Sequence, residues 1–201
     1  MIRHLISSLP LIANLAYAGF HLLLSILNHT AWFAIFAVYY FILATMRLIL
    51  RPQTDRLGEW RRTRTCAAVL FLLHFVLTAA VLMILFVGRS FHYPGLLIYC
   101  MATYSFAMAT RAIISFVRDQ KFKSPRATTA KIIALAEALI SMLPLETAMF
   151  SAFGAEMPLH RKQIFIAATG AGLSLILLVL SIYMICRSNQ EIKKEKQLHE
   201  A

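Results

Sequence analysis

IIALAEALISMLPLETAMFSAF, residues 132–153, is an apolar stretch interrupted by only two charged side chains, Glu137 and Glu146. A helix needs ~20 apolar residues to cross the ~30 Å hydrocarbon core of a bilayer, and this stretch is long enough. It therefore predicts a membrane-spanning helix. Carboxylates inside such a helix are costly and mark functional or paired positions, so both glutamates are candidate site residues.

Five further apolar stretches of similar length lie along the chain. Only 14% of the 201 residues are charged, against about a quarter in soluble domains. The sequence thus predicts an all-α polytopic membrane protein, with one six-helix domain over residues 1–186 and a charged cytoplasmic tail over residues 187–201. The predicted spans are Leu5–Leu27, Ala31–Leu50, Thr65–Val87, Pro94–Val117, Ile132–Phe153 and Ile164–Cys186. The predicted connections are Asn28–Thr30, Arg51–Arg64, Gly88–Tyr93, Arg118–Lys131 and Gly154–Gln163.

Basic residues are concentrated on one side of the predicted bundle. Arg3, the Arg51–Arg64 and Arg118–Lys131 connections and the tail together hold 15 of the 20 Lys and Arg residues, and the opposite connections hold 3. The positive-inside rule therefore places both termini in the cytoplasm. We expect a multi-pass protein of the plasma (cytoplasmic) membrane, whose basic connections meet anionic lipid head groups.

The first predicted span begins close to the N-terminus. Ala16-Tyr17-Ala18 resembles a signal-peptidase site. The apolar run nevertheless continues to Leu27, and polar residues interrupt the segment before that site. We therefore expect an uncleaved first span.

Glu137, Arg111 and His74 are predicted to form one polar layer. At a rise of 1.5 Å per residue, they lie ~10, ~9 and ~13 Å above the cytoplasmic boundary. Intramembrane charges commonly pair, so Arg111 is the expected counter-charge of Glu137. Two interpretations stay open: a proton- or ion-coupled carboxylate, or an interhelical salt bridge that only locks the bundle.

Glu146 and His21 form a second candidate layer, ~24 Å from the same boundary and close to the outer interface. Glu146 is also interpreted as a side chain that reaches the lipid head groups. The histidines His21 and His74 are also interpreted as hydrogen-bonded packing residues. Pro144 lies between the two glutamates and is predicted to bend the fifth helix, either as the flexure point of a gate or as a static kink.

Several chemistries find no support in the sequence. It contains no phosphate-binding loop, zinc-protease or serine-hydrolase motif, so we expect no enzyme and no cofactor. Its three cysteines are scattered, which disfavours a metal site. The net charge of +11 flanks apolar spans and is not interleaved with stacking aromatics on a soluble element, so nucleic acid is not an expected partner.

Two short patches carry a resemblance to a known family. They are Asn28–Leu43 (NHTAWFAIFAVYYFIL) and Ser124–Glu137 (SPRATTAKIIALAE). With the six-span layout and the cytoplasmic tail, they resemble the second and fifth spans of the cation diffusion facilitator family. The layout is also similar to that of uncharacterised six-span bacterial integral membrane proteins.

The cation diffusion facilitator resemblance implies four metal ligands, in pairs four residues apart on those two spans. The matching positions hold Phe36, Tyr40, Ile133 and Glu137. Only Glu137 could bind a metal ion, and one carboxylate cannot form the tetrahedral site that zinc usually needs. The resemblance therefore implies that the fold is retained and the metal chemistry is lost or replaced.

Two functions are consistent with these features. The first is a small ion- or proton-coupled transporter-like protein with Glu137 as its coupling carboxylate. The second is a non-catalytic membrane interaction or scaffold protein in which the buried charges are structural. A lipid-active enzyme is a remote third option. Ala168 and Gly172 form a small-residue pair that favours close helix packing, and self-association is a further expectation.

Overall fold

The chain folds entirely into helices in the residues that the structure, a computed structural model, describes: 2–50, 55–87, 95–118 and 124–200. These ranges contain six α-helices and no strand, so the predicted all-α fold is confirmed. The helices are α1 (Ile2–Asn28), α2 (Ala31–Ile49), α3 (Arg56–Val87), α4 (Gly95–Arg118), α5 (Pro125–Phe153) and α6 (Leu159–Glu200). The predicted connection over residues 88–93 lies outside the described ranges.

All six helices are long and apolar enough to cross a membrane. Large apolar side chains such as Leu72, Phe86 and Phe106 are more than 60% exposed on their outer surfaces. Extended apolar surface of this kind is a liability in water and matches lipid tails. The six predicted spans are therefore confirmed, and the chain has the build of a multi-pass membrane protein.

Three helices extend beyond the predicted spans into charged sequence. α3 already begins at Arg56, α5 begins at Pro125, and α6 starts at Leu159 and continues to Glu200. The predicted connections were too long, because hydropathy marks where lipid ends and not where the helix ends. At α5 the start follows the local sequence, since Pro125 at the first helical position fits the fixed backbone angle of proline.

A tight turn joins α1 to α2, as the sequence predicted. His29 adopts a left-handed backbone conformation, with φ 49°. This conformation is uncommon for residues other than glycine, although histidine is among those that tolerate it. The Thr30 amide donates to the Ser25 carbonyl at 3.2 Å, and the Ser25 hydroxyl donates to the Thr30 carbonyl at 3.1 Å. These bonds satisfy polar groups that the reversal leaves without helical partners.

The described chain forms two compact units. The first consists of α1, α2, α3 as far as Val76 and α6 from Ile182 onwards. Here the Arg62 guanidinium donates to the last carbonyl of α2, that of Ile49, at 3.1 Å. Close to the chain end, Arg56 of α3 forms an ion pair with Glu195 of α6 at 3.5 Å.

The charged tail is part of this first unit. It is helical, and its lysines face outward, as expected for a mixed-charge helix. However, Ser188 and Ile192 are buried and share a face with Glu195. One side of the charged tail therefore packs within the first unit.

The second unit is Leu77–Ser181 and contains the rest of α3, α4, α5 and the first half of α6. Polar side chains join α3 to α6: the hydroxyls of Thr78 and Ser174 are 2.9 Å apart, and the Gln163 amide donates to the Ile84 carbonyl at 3.2 Å. α5 is the most buried of the six spans: 72% of its apolar 18-residue window is buried, against at most 50% of the windows in the other spans.

Gly170 is the small residue that lets α6 approach its neighbours in this unit. A Cβ atom added there would collide with Val81 of α3 and lie 3.5 Å from Leu143 of α5. Gly172 has open space around it, and both it and Ala168 are exposed. The predicted small pair thus lies on an outer face, and self-association through it stays a prediction.

Candidate functional site

Glu137 lies in the middle of α5 and is completely buried. Ser141 and Pro144, which follow on the same helix face, are buried as well. Most of their neighbours along α5 are alanine, isoleucine and leucine. A carboxylate in such surroundings is costly to ionise without a partner, which makes this the first place to look for a function.

Arg111 belongs to α4 in the same unit and is half-buried. It is the basic side chain closest to the middle of α4, which runs antiparallel to α5. Glu137 and Arg111 each have an interaction in the structure. Their predicted pairing with one another stays a prediction.

A hydrogen bond between α4 and α5 fixes the level at which the two helices meet. The buried Ser105 hydroxyl donates to the Ser141 carbonyl at 2.8 Å. The Ser141 hydroxyl in turn donates to the carbonyl of Ala138, also at 2.8 Å. Counting equal numbers of residues from this contact, forward along α4 and backward along α5, places Arg111 opposite Leu135. Along the helix axis, Arg111 is then within ~3 Å of Glu137.

Pro144 lies close to the level at which Ser105 bonds to the backbone of α5. Proline has no amide hydrogen and its ring crowds the carbonyl four residues earlier, so it disturbs the helical bonds of the preceding turn. The Ser105 hydroxyl bonds within that turn. α5 nevertheless continues through Pro144 to Phe153. A role of Pro144 as a flexure point stays a prediction.

Glu146 is held to α6 by a contact that the sequence did not predict. The Thr169 hydroxyl donates to Oε1 of Glu146 at 3.1 Å. Its Oε2 is buried and has no hydrogen-bond partner among the described residues. One oxygen thus points into the protein, which departs from the interpretation that Glu146 only reaches for head groups. No sequence signal identifies Thr169, because the pairing depends on which helices are neighbours.

His21 is completely buried among aromatic rings of α1 and α2 in the first unit. Its ring lies 4.6 Å edge-on from Tyr17 and 5.9 Å in a stack with Tyr40. Phe33 and Phe36 lie 6.0 and 5.6 Å from it. Among the described residues, neither ring nitrogen has a hydrogen-bond partner. The ring packing agrees with the interpretation of His21 as a packing residue, but the described residues supply no hydrogen bond to it, and its role as a site residue stays a prediction.

Tyr17 and Tyr40 are parts of this cluster that sequence reasoning missed. The spacing of Tyr17 and His21, four residues apart on one helix face, was the available signal. Phe36 and Tyr40, the positions matched to metal ligands by the family resemblance, are packed here against His21. Both are fully buried.

His74 also lies in the first unit and is half-buried. Its ring lies 5.1 Å from that of Phe75. The layer that would join it to Glu137 and Arg111 stays a prediction, as does the layer joining His21 to Glu146. Across the described residues, no three His, Cys, Asp or Glu side chains come together in a way that could hold a metal ion.

Comparisons with known proteins give no relative from which to transfer a function. No protein family matches the chain, and no curated protein or solved structure matches it either. The resemblance to the cation diffusion facilitator family thus rests on the two short patches alone. The function must be argued from the residues of this chain.

Proposed function

We propose that the chain is an ion- or proton-coupled transporter-like protein of the plasma membrane, with Glu137 as its coupling carboxylate and Arg111 as the charge partner. The observation that carries the proposal is the complete burial of Glu137 in the most buried helix. Ionisable residues inside membrane spans pair with one another and mark ion and proton pathways.

Helix geometry supports the partnership of Glu137 and Arg111. Successive residues turn by ~100° around an α-helix, so Glu137 is rotated ~200° from Leu135 and Arg111 ~200° from Ala109. Leu135 and Ala109 line the same apolar groove on one side of the α4–α5 contact. The two charged residues therefore lie on the faces of α4 and α5 that are turned away from the groove, at nearly the same level.

The proposed orientation follows from charge. Both termini are placed in the cytoplasm, because the connections on that side carry most of the Lys and Arg residues. The site then lies in the cytoplasmic half of the membrane.

A scaffold or interaction protein is the second candidate, and one observation favours it. Both Glu137 and Arg111 already have interactions in the structure, as a purely structural pair would. Under this alternative the charges lock α4 to α5 and bind nothing. Partners would then dock on the basic connections or on an exposed helix face.

The test is thermal unfolding of the purified protein in detergent, from pH 5 to 8.5, with and without a panel of mono- and divalent cations. Ligands that bind the native state raise its stability, by ~2.7 kcal/mol at a hundredfold excess over Kd. We expect a cation- or pH-dependent shift that Glu137→Gln abolishes. Glu156→Gln is the matched control, because Glu156 is exposed outside the spans. It should leave the shift intact.

Two outcomes separate the candidates. A flat response in the wild type, together with a Glu137→Gln variant that is merely less stable, would support the scaffold alternative. Breaking a buried pair typically costs ~3–5 kcal/mol. If Glu137→Gln and Arg111→Gln both unfold like the wild type, the pairing itself is wrong.

A further inference from the structure

An apolar groove lies between α4 and α5 of the second unit. Its deepest residues are the buried alanines Ala112 and Ala138, and its rim includes Ile113 and Val117, which are 64% and 70% exposed. Its volume is about 310 Å³, and no polar side chain lines it. α4 and α5 are both long and apolar enough to span a membrane, and the exposed apolar rim of the groove suits lipid better than water.

The dimensions of the groove favour an extended chain over a helix. From Val117 to Ala109 it runs ~12 Å along α4, so 310 Å³ corresponds to a cross-section of about 26 Å². A helix ~10 Å across has about three times that cross-section. A chain of methylene groups needs no hydrogen bonds from its surroundings, whereas a polar ligand would leave its groups unsatisfied here.

Lys131 continues the groove at one end. Leu135 marks that end on α5, and Lys131 lies one turn before it on the same helix face. Lys131 is half-buried. The groove thus combines an apolar slot with an ammonium group near the membrane boundary, and basic pockets between spans bind anionic lipid head groups.

We propose that this groove binds one acyl chain of a phospholipid whose anionic head group contacts Lys131. The lipid would cover the rim residues Ile113 and Val117, which are otherwise exposed. The site is distinct from Glu137 and Arg111, which do not line the groove and lie on the opposite faces of their helices. It therefore stands whether or not the protein transports an ion.

The test is native mass spectrometry of the full chain in detergent, titrated with phosphatidylglycerol or with phosphatidylcholine carrying the same acyl chains. We expect one phosphatidylglycerol to be retained per protein and to bind more tightly than phosphatidylcholine. Ala109→Phe fills the groove and should weaken the binding of both lipids at least tenfold. Ala107→Phe is its matched control, since Ala107 is exposed two residues away on α4 and lies outside the groove.

The contact between the head group and Lys131 is tested separately, by a variant that leaves the packing of the groove unchanged. Lys131→Gln should weaken phosphatidylglycerol binding about five-fold, the effect of one lysine at an anionic membrane surface, and change phosphatidylcholine binding little. Lys193→Gln removes the same charge from the exposed tail and should bind like the wild type. Melting curves confirm that each variant is folded.

Three results would overturn the site. The first is a wild type that retains no lipid, and the second is equal binding by Ala109→Phe and Ala107→Phe. The third is a dimer that Ala109→Phe dissociates, which would make the groove an interface between copies. Equal behaviour of Lys131→Gln and Lys193→Gln would remove the head-group contact from the proposal.

Discussion

Gly170→Ala is expected to destabilise the second unit through one collision. The added Cβ would overlap Cγ2 of Val81. Valine is stiff in a helix because its branched side chain has one strongly preferred rotamer, so this methyl cannot simply rotate away. Overpacking a core typically costs ~1–3 kcal/mol. Replacing glycine with alanine in a helix also stabilises the helix by up to ~1 kcal/mol through helix propensity. This gain must be subtracted to obtain the cost of the collision.

Gly172→Ala is the control for helix propensity, because Gly172 lies on the same helix and has open space around it. The difference between the two variants isolates the collision at ~1–3 kcal/mol. For a chain of this size, that corresponds to a melting point lower by about 2–12 °C. Unfolding is followed by far-UV circular dichroism in detergent.

Val81→Ala supplies the second arm of the Gly170 experiment. It removes the methyl group that collides, so the loss in the double variant should be smaller than the sum of the two single losses. Residues in contact show couplings of ~0.5–3 kcal/mol. Equal stability of Gly170→Ala and Gly172→Ala, or strict additivity with Val81→Ala, would refute the packing described for α3 and α6.

Two further substitutions test hydrogen bonding inside the bundle by the same unfolding assay. Ser105→Ala removes the bond to the Ser141 carbonyl and should lower the unfolding free energy by ~0.5–1.5 kcal/mol. Thr103→Val is its control, because the Thr103 hydroxyl bonds within its own exposed helix face, and it should cost less. Equal losses in the two variants would contradict the α4–α5 bond. His21→Phe keeps the ring packing and eliminates two buried nitrogens that lack partners, so it should be neutral or stabilising. A loss above ~1 kcal/mol would show that His21 has a polar partner.

The sequence was sufficient to predict the number of helices and the burial of Glu137. Both depend on a signal that a single chain carries: apolar runs of membrane length, with one carboxylate in the middle of the fifth. The same signal cannot locate helix ends, since the charged residues from Arg56 to Arg64 are as helical as the apolar residues that follow.

Contacts between helices could not be predicted, because they depend on rotation about each helix axis. The sequence indicated Ala168 and Gly172 as the small pair of α6, and only the fold shows that Gly170, between them, faces inward. Rotation about the helix axes also decides the bond from Thr169 to Glu146 and the ring cluster around His21, so the sequence could not predict them. Helical spacing shows which residues share a face, but not what that face meets.

The distribution of tryptophan has a consequence for spectroscopy. The chain has two tryptophans, Trp32 and Trp60, and both belong to the first unit, where they are buried. Trp32 lies 4.8 Å from Phe36, which itself borders His21. Intrinsic fluorescence thus originates in the first unit, and the second unit, which holds Glu137 and the α4–α5 groove, has no tryptophan of its own. A fluorescence titration of this protein needs an indole introduced between Leu77 and Ser181.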